Sequence, residues 1–208
     1  MSVEVVVARY CEDLGWCDAL PAWWRVTVYD KSTGGPRERI FLPGYASPDG
    51  PDGAPLWPGA VPLPNVGLGD RAYMHHVVRH YHSLAGHTIF LQGDPHFHAP
   101  DWKVASLRAL LADAEYFPFG ETWRCDASGA PHFPQGLAEL AEMAAIFWPQ
   151  QPLPSELLWH GYSMFGVSAD RLRTVPRETW AAAEQACLTK RHSCAMERLY
   201  DRLLGAAS

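Results

Sequence analysis

Positive charge is in short supply in this 208-residue chain: 17 Lys and Arg stand against 23 Asp and Glu, a formal net charge of −6. That balance leaves no basic field for a phosphate backbone and argues against a general nucleic-acid binder. A nucleotide or sugar nucleotide held locally stays compatible with it. Long apolar runs are also missing, since nothing approaches the roughly 18 residues of a spanning helix. The opening Met1-Ser2-Val3-Glu4 lacks the basic start and apolar stretch of a secretory leader. A cytoplasmic location with no membrane partner is the resulting expectation. Cysteine is sparse and unpaired in pattern. Cys11, Cys17, Cys125, Cys187 and Cys194 form an odd, scattered set with no C-x-x-C pair, which argues against a disulfide framework and a cysteine-rich zinc knot. They are expected as reduced packing residues.

What is present is a globular core. A hydrophobic content of 48% over this length is enough to bury one, and the length favours a single domain over residues 1–208. Val3 to Ala8 has too little polar alternation for a half-exposed strand and predicts a central one buried on both faces. Arg25 to Asp30 reads as a second strand, Arg39 to Leu42 as a short third, Thr88 to Leu91 as another inner strand and Ser163 to Val167 as the last. Apolar residues at helical spacing predict helices over 70–83, 102–115, 136–146, 176–189 and 193–204. Ser168 reads as a helix cap. Alternating strands and helices predict an α/β fold with a mainly parallel central sheet, helices on both faces and a helical C-terminus. Residues 43–64 are dense in proline and glycine, a composition that forms no regular ladder. They read as a flap beside the site or as a surface insertion.

Residues 65–101 hold seven of the ten histidines. Polar residues just past the carboxyl end of a buried strand are where open α/β sheets build sites, so the site is expected here. Asp94 is released by Gly93 and Pro95 where the strand runs out, with His96 and His98 on the same loop. Asp94 and His98 could serve as acid and base or hold a divalent ion, whereas Asp101 suits the helix cap at Trp102. Asn65 and Gly67 open a helix whose amino end favours an anion, and Arg71, His75, Arg79 and His82 give that helix a basic face. His76 and His80 have the spacing of a metal pair but lack the zincin Glu, so hydrogen-bonded histidines are the expectation there. Aromatic residues crowd 116–134 and 148–162 beside Glu121, Glu156 and His160. Rings so placed suit stacking on a sugar or base, or belong to the core.

Taken together, Ala8-Arg9-Tyr10-Cys11-Glu12-Asp13 with Trp16, Val28-Tyr29-Asp30-Lys31, Asn65-Val66-Gly67 with Tyr73 and His75-His76, Phe90-Leu91-Gln92-Gly93-Asp94-Pro95 with His98, Met164-Phe165-Gly166-Val167-Ser168 and Met196-Glu197-Arg198-Leu199 resemble a family of bacterial and fungal proteins. That family is catalogued only as a domain of unknown function. The resemblance covers nearly the whole chain. The family in turn is similar to glycosyltransferases of the GT-A type. This second likeness implies a nucleotide held by Arg9, Glu12 and Asp13, and it puts Asp94 where such enzymes carry a metal-binding Asp-x-Asp. Mn²⁺ or Mg²⁺ is the implied cofactor, with His98 or His160 completing the ligand set. Two positions depart from the pattern. Gln92 replaces the first Asp, and Leu68-Gly69 stands where the family usually has Arg-Glu.

The expected function is transfer of a sugar from a sugar nucleotide to a small-molecule acceptor, within secondary metabolism. Asp94, His98 and Glu12 are the expected catalytic groups. Arg9, Asp13, Asn65, Gly67, Arg71, His75, Gln92 and His160 are expected to bind substrate. Two alternatives stand beside it: a hydrolase, lyase or cyclase using Asp94 and His98 without a sugar donor, and a non-catalytic binding protein.

Overall fold

A computed structural model describes residues 2–32, 57–126, 137–153 and 156–205. The strand expected over Arg39 to Leu42 and most of the Pro/Gly-rich loop lie outside the described residues. In chain order the elements are β1 (Val3–Arg9), β2 (Trp24–Asp30), β3 (Val61–Pro62), α1 (Leu68–His80), β4 (His87–Gln92), α2 (Pro95–His98), α3 (Trp102–Leu111), β5 (Tyr116–Pro118), β6 (Thr122–Asp126), α4 (Leu137–Phe147), β7 (Glu156–His160), β8 (Phe165–Ser168), α5 (Ala169–Arg173), α6 (Arg177–Ala186) and α7 (Lys190–Leu204). Short 3-10 turns occupy Gly15–Ala19 and Gly161–Ser163.

All seven residues of β1 are buried, as its run of valines requires. Period-two alternation sends Val3, Val5 and Val7 into a core with Leu14, Ile89, Leu91 and Trp102. Val6 and Ala8 face the other way, into a core built with α1, α4, α6 and α7. The sheet is therefore covered by helices on both sides. α7 supplies Met196, Leu199 and Leu204, each fully buried and each worth about 1.5–3 kcal/mol of burial.

The six-stranded sheet has the order β3-β2-β1-β4-β8-β5. β1 runs parallel to β2 with Arg9 opposite Asp30, and parallel to β4 with Ala8 opposite Gln92. β3 continues this direction beside Tyr29 and Asp30. β8 runs antiparallel to β4 and to β5, so the sheet is mixed where a mainly parallel one was expected. A second sheet of β6 and β7, antiparallel, was not anticipated. Its two strands lie in segments whose proline, glycine and aromatic content resembles loop, and α4 lies between them in sequence.

Element ends shift by a few residues. α1 begins at Leu68 and not at Asp70, because Gly67 caps it in a left-handed conformation (φ 63°). β8 begins only at Phe165, since Tyr162 and Ser163 take positive φ in the preceding turn. Ser168 does cap α5, its hydroxyl accepting from the Arg171 amide at 3.1 Å. Among the described residues no helix is long and apolar enough to cross a membrane.

Candidate functional site

β2 and β3 add to one side of β1 and β4 to the other, so the winding of the sheet reverses between β1 and β4. Strand ends that flank such a reversal leave a crevice between the loops that follow them. Here those loops are Tyr10 to Leu14 and Gly93 to His98, and they are fastened together. The Glu12 carboxylate accepts from the amides of Tyr10 (2.6 Å) and Cys11 (3.1 Å). The same carboxylate lies against Gly93, where a Cβ would come within 2.5 Å of Glu12 Oε2 and 2.9 Å of Glu12 Cβ. Only glycine lets the two loops approach so closely. The Trp16 indole donates to the Gly93 carbonyl at 2.9 Å, a second tie. Asp13 is exposed and accepts from the Gly15 amide at 3.0 Å, which shapes the 3-10 turn.

Arg9 ends β1 and is buried. It forms an ion pair with Asp30, its register partner on β2, and donates through Nε to the Glu12 carbonyl at 2.9 Å. Asp30 also accepts from the Ser32 amide (2.9 Å) and the Trp57 amide (3.1 Å). Burial pushes the Asp30 carboxyl up. Hydrogen bonds from Ser32, Trp57 and Arg9 more than offset this and hold it below its ordinary value. The segments on either side of residues 33–56 thus meet at one carboxylate. Neighbouring Lys31 is buried, and its ammonium donates to the carbonyls of Val66 (2.7 Å) and Leu68. Burial lowers its pKa to about 8.

Across the crevice, Gln92 ends β4 and its amide donates to the Tyr162 carbonyl at 2.7 Å. Tyr162 is the hub of this side. Its ring stacks on His98 with centroids 3.7 Å apart, and its amide donates to the Glu197 carboxylate. Burial pushes the Glu197 carboxyl up to about 8, with the nearby Asp70 carboxylate adding to the rise. Asp70 is itself pushed up to about 6 by burial, although the Ser193 hydroxyl donates to it. Asp94 is exposed at the start of α2 and makes no hydrogen bond or ion pair among the described residues. His98, one turn on, is half-buried. Desolvation lowers its pKa, and the Asp94 charge only partly opposes that. At neutral pH the His98 imidazole is therefore uncharged and able to take a proton.

The other expected residues lie apart from this crevice. Gly67 caps α1, and a Cβ there would sit 2.2 Å from the Cys187 carbonyl oxygen. The Asn65 side chain makes no hydrogen bond among the described residues. Arg71 and His75 line a separate cleft that includes none of Glu12, Asp94 and His98. His160 is engaged at both ring nitrogens, by Asp201 (2.7 Å) and Thr122 (3.0 Å). His76 is fully buried against the Tyr29 hydroxyl (3.1 Å), and its ring lies 4.7 Å from that of His80. Burial lowers its pKa to about 4. Among the described residues, no three His, Cys, Asp or Glu side chains are grouped to hold a metal ion.

The structure brings together Arg9, Glu12, Gln92, Asp94 and His98, and it adds Asp30, Tyr162 and Glu197, which motif reading did not assign. A signal for Glu197 was present. Ser193, Glu197, Tyr200 and Leu204 follow one another at i, i+4, i+7 and i+11, so an acid sits in the buried stripe of α7. Comparison with known proteins returns no matching family model, no similar curated protein and no similar solved structure.

Proposed function

We propose that the chain is a transferase that moves a glycosyl group from a sugar nucleotide to a small-molecule hydroxyl at the crevice between β1 and β4. The observation that carries this reading is Asp94: a carboxylate with no hydrogen bond or ion pair among the described residues, just past an inner strand, one helical turn from a neutral histidine. A divalent cation fits there in part. Asp94 offers an oxygen and His98 a nitrogen, and Mg²⁺ and Mn²⁺ commonly take one or two protein carboxylates together with substrate phosphates. Asp94 and His98 would hold such an ion, which when bound would supply positive charge to a departing diphosphate.

The chain's own residues do the remainder. Asp94, through the oxygen that the ion does not take, or His98, where no ion is held, accepts the proton of the acceptor hydroxyl as its oxygen attacks the anomeric carbon, and the diphosphate leaves with the bonding pair. The Arg9 and Asp30 pair and the amide-bound Glu12 carboxylate fix the loop that faces the donor. His98, held by its stack on Tyr162, keeps its proton-accepting nitrogen in a constant orientation. The sequence resemblance of Phe90 to Pro95 to the acidic motif of GT-A type glycosyltransferases, with Gln92 in place of the first Asp, agrees with this role for Asp94.

A thermal-shift screen with sugar nucleotides, with and without Mn²⁺, tests the reading. A donor at a hundredfold excess over its Kd stabilises by about 2.7 kcal/mol, roughly 5–10 °C for a chain of this size. A folded protein whose melting is unmoved by every sugar nucleotide, with or without the ion, overturns it.

A further inference from the structure

The cleft lined by Arg71 and His75 encloses about 160 Å³ between α1, α6 and the segment before α1, with Lys31, Val66 and Glu184 in its wall. Its charges are unevenly matched. Glu184 is committed to His75, with its carboxylate 2.8 Å from Nδ1. Arg71 is half-buried, and its guanidinium has no hydrogen bond or ion pair among the described residues. An ammonium has three donors. Two of Lys31's are taken by the Val66 and Leu68 carbonyls, and one remains. Two cations within electrostatic reach of each other thus border one small space, with Asp70 acting on Lys31 and the lining carboxylate, Glu184, turned to His75. The Arg71 guanidinium has no counter-charge paired to it among the described residues.

We propose that this cleft binds a single phosphoryl group, held between the Arg71 guanidinium and the remaining Lys31 proton with His75 Nε2 beside it. Size and chemistry favour that class. The space is small for a whole sugar nucleotide, since ligand pockets for such molecules commonly run to about 300–1,000 Å³, and it admits one small anion. A guanidinium fork matches two oxygens of a phosphoryl group, and the tetrahedral anion has further oxygens for Lys31 and His75. The ring of His75 is oriented by Glu184, which leaves Nε2 to accept from a phosphate hydroxyl or, when protonated, to donate to an oxygen. A planar carboxylate presents its acceptor sites in one plane, whereas the tetrahedral anion directs separate oxygens toward groups on different sides. The site stands independently of glycosyl transfer, since it involves none of Glu12, Asp94 and His98.

Inorganic phosphate is the probe, titrated by calorimetry into the full chain at fixed ionic strength, with chloride and acetate as comparison anions. The expected result is saturable binding of one phosphate per chain, tighter than acetate and absent with chloride. Arg71→Gln should weaken it about tenfold or more, the loss of a charge-assisted hydrogen bond, and Arg71→Lys should fall between the two because it keeps charge but not the fork. Both variants should melt near the parent, as the Arg71 guanidinium makes no hydrogen bond or ion pair among the described residues. Displacement of phosphate by a nucleoside diphosphate would assign the cleft to the end group of a larger ligand, and lack of displacement to the free anion. Phosphate binding unchanged in Arg71→Gln, or acetate binding equally well, overturns the proposal.

Discussion

Replacing Gly93 by alanine tests whether the two crevice loops are built against each other. The new methyl would meet Glu12 at three atoms, Oε2 at 2.5 Å, Cδ at 2.7 Å and Cβ at 2.9 Å. The carboxylate end can swing aside, but doing so releases the amides of Tyr10 and Cys11, and Cβ cannot move without its backbone. Overpacking of this kind costs about 1–3 kcal/mol. Loss of charge-assisted bonds lies in a similar range, so either route predicts the same size of effect. For a chain of this length that is a fall of roughly 2–12 °C in Tm. Urea unfolding should show a lower midpoint at unchanged slope. Glu12→Gly removes all three opposing atoms, so the double variant should be more stable than the sum of the single effects by about 1 kcal/mol or more. Gly93→Ala melting with the parent, or strict additivity in the cycle, would refute the reasoning.

Asp94→Asn should leave the melting temperature unchanged, because the carboxylate is exposed and makes no hydrogen bond or ion pair among the described residues. It should also lower transferase turnover by at least about two orders of magnitude, a usual general-base contribution. His98→Ala should lower turnover as well, whereas His80→Ala should not. Glu197 sets a pH dependence. Its folded pKa of about 8 lies above the ordinary value of 4.5, so the native state holds a proton that the unfolded chain releases, and stability falls as pH rises through that window. His76, lowered from 6.5 to about 4, acts in the opposite sense but only below 6.5, and Asp70 has titrated by about 6. Between pH 6.5 and 8 the decline should therefore be visible in urea midpoints, and Glu197→Gln should flatten it; an equal slope in the variant would count against the assignment. Among the thiols, Cys11 is partly exposed, while burial raises Cys17 to about 11 and Cys194 to about 12 and pushes Cys187 higher still. Native-state alkylation followed by mass spectrometry should label Cys11 before Cys17, Cys187 and Cys194, and denatured protein should yield all five cysteines.

The inner strands were legible because Val3 to Ala8 and Thr88 to Leu91 are apolar at every position but Glu4 and Thr88, and burial on both faces leaves few other readings. The location of the site followed from chain logic, since Gly93 and Asp94 come directly after such a strand. The direction of β8 was not legible. Phe165-Gly166-Val167 reads the same in either sense, and only its pairing with β4 and β5 decides. Arg71 and His75 were grouped with Asp94 because they share a short stretch of sequence, yet the helix carries them to another cleft. Tyr162 was hidden for the opposite reason. It comes from late in the chain and reaches the crevice through a turn with positive φ, which an aromatic residue rarely signals.

The insertion of β8 between β4 and β5 has a consequence for how the protein is made. Seventy-six positions separate Gln92, the end of β4, from Ser168, the end of β8, and ribosomes add about 5–20 residues per second. For roughly 4–15 s the nascent chain can hold β1, β2 and β4 together while the outer edge of β4 has no neighbour. That edge reads His87-Thr88-Ile89-Phe90-Leu91, apolar and β-branched, the kind that pairs with other chains when left open. Fragments ending before Phe165 should therefore associate through it, and recombinant yield should improve with slower synthesis or a chaperone that covers β4 until β8 arrives.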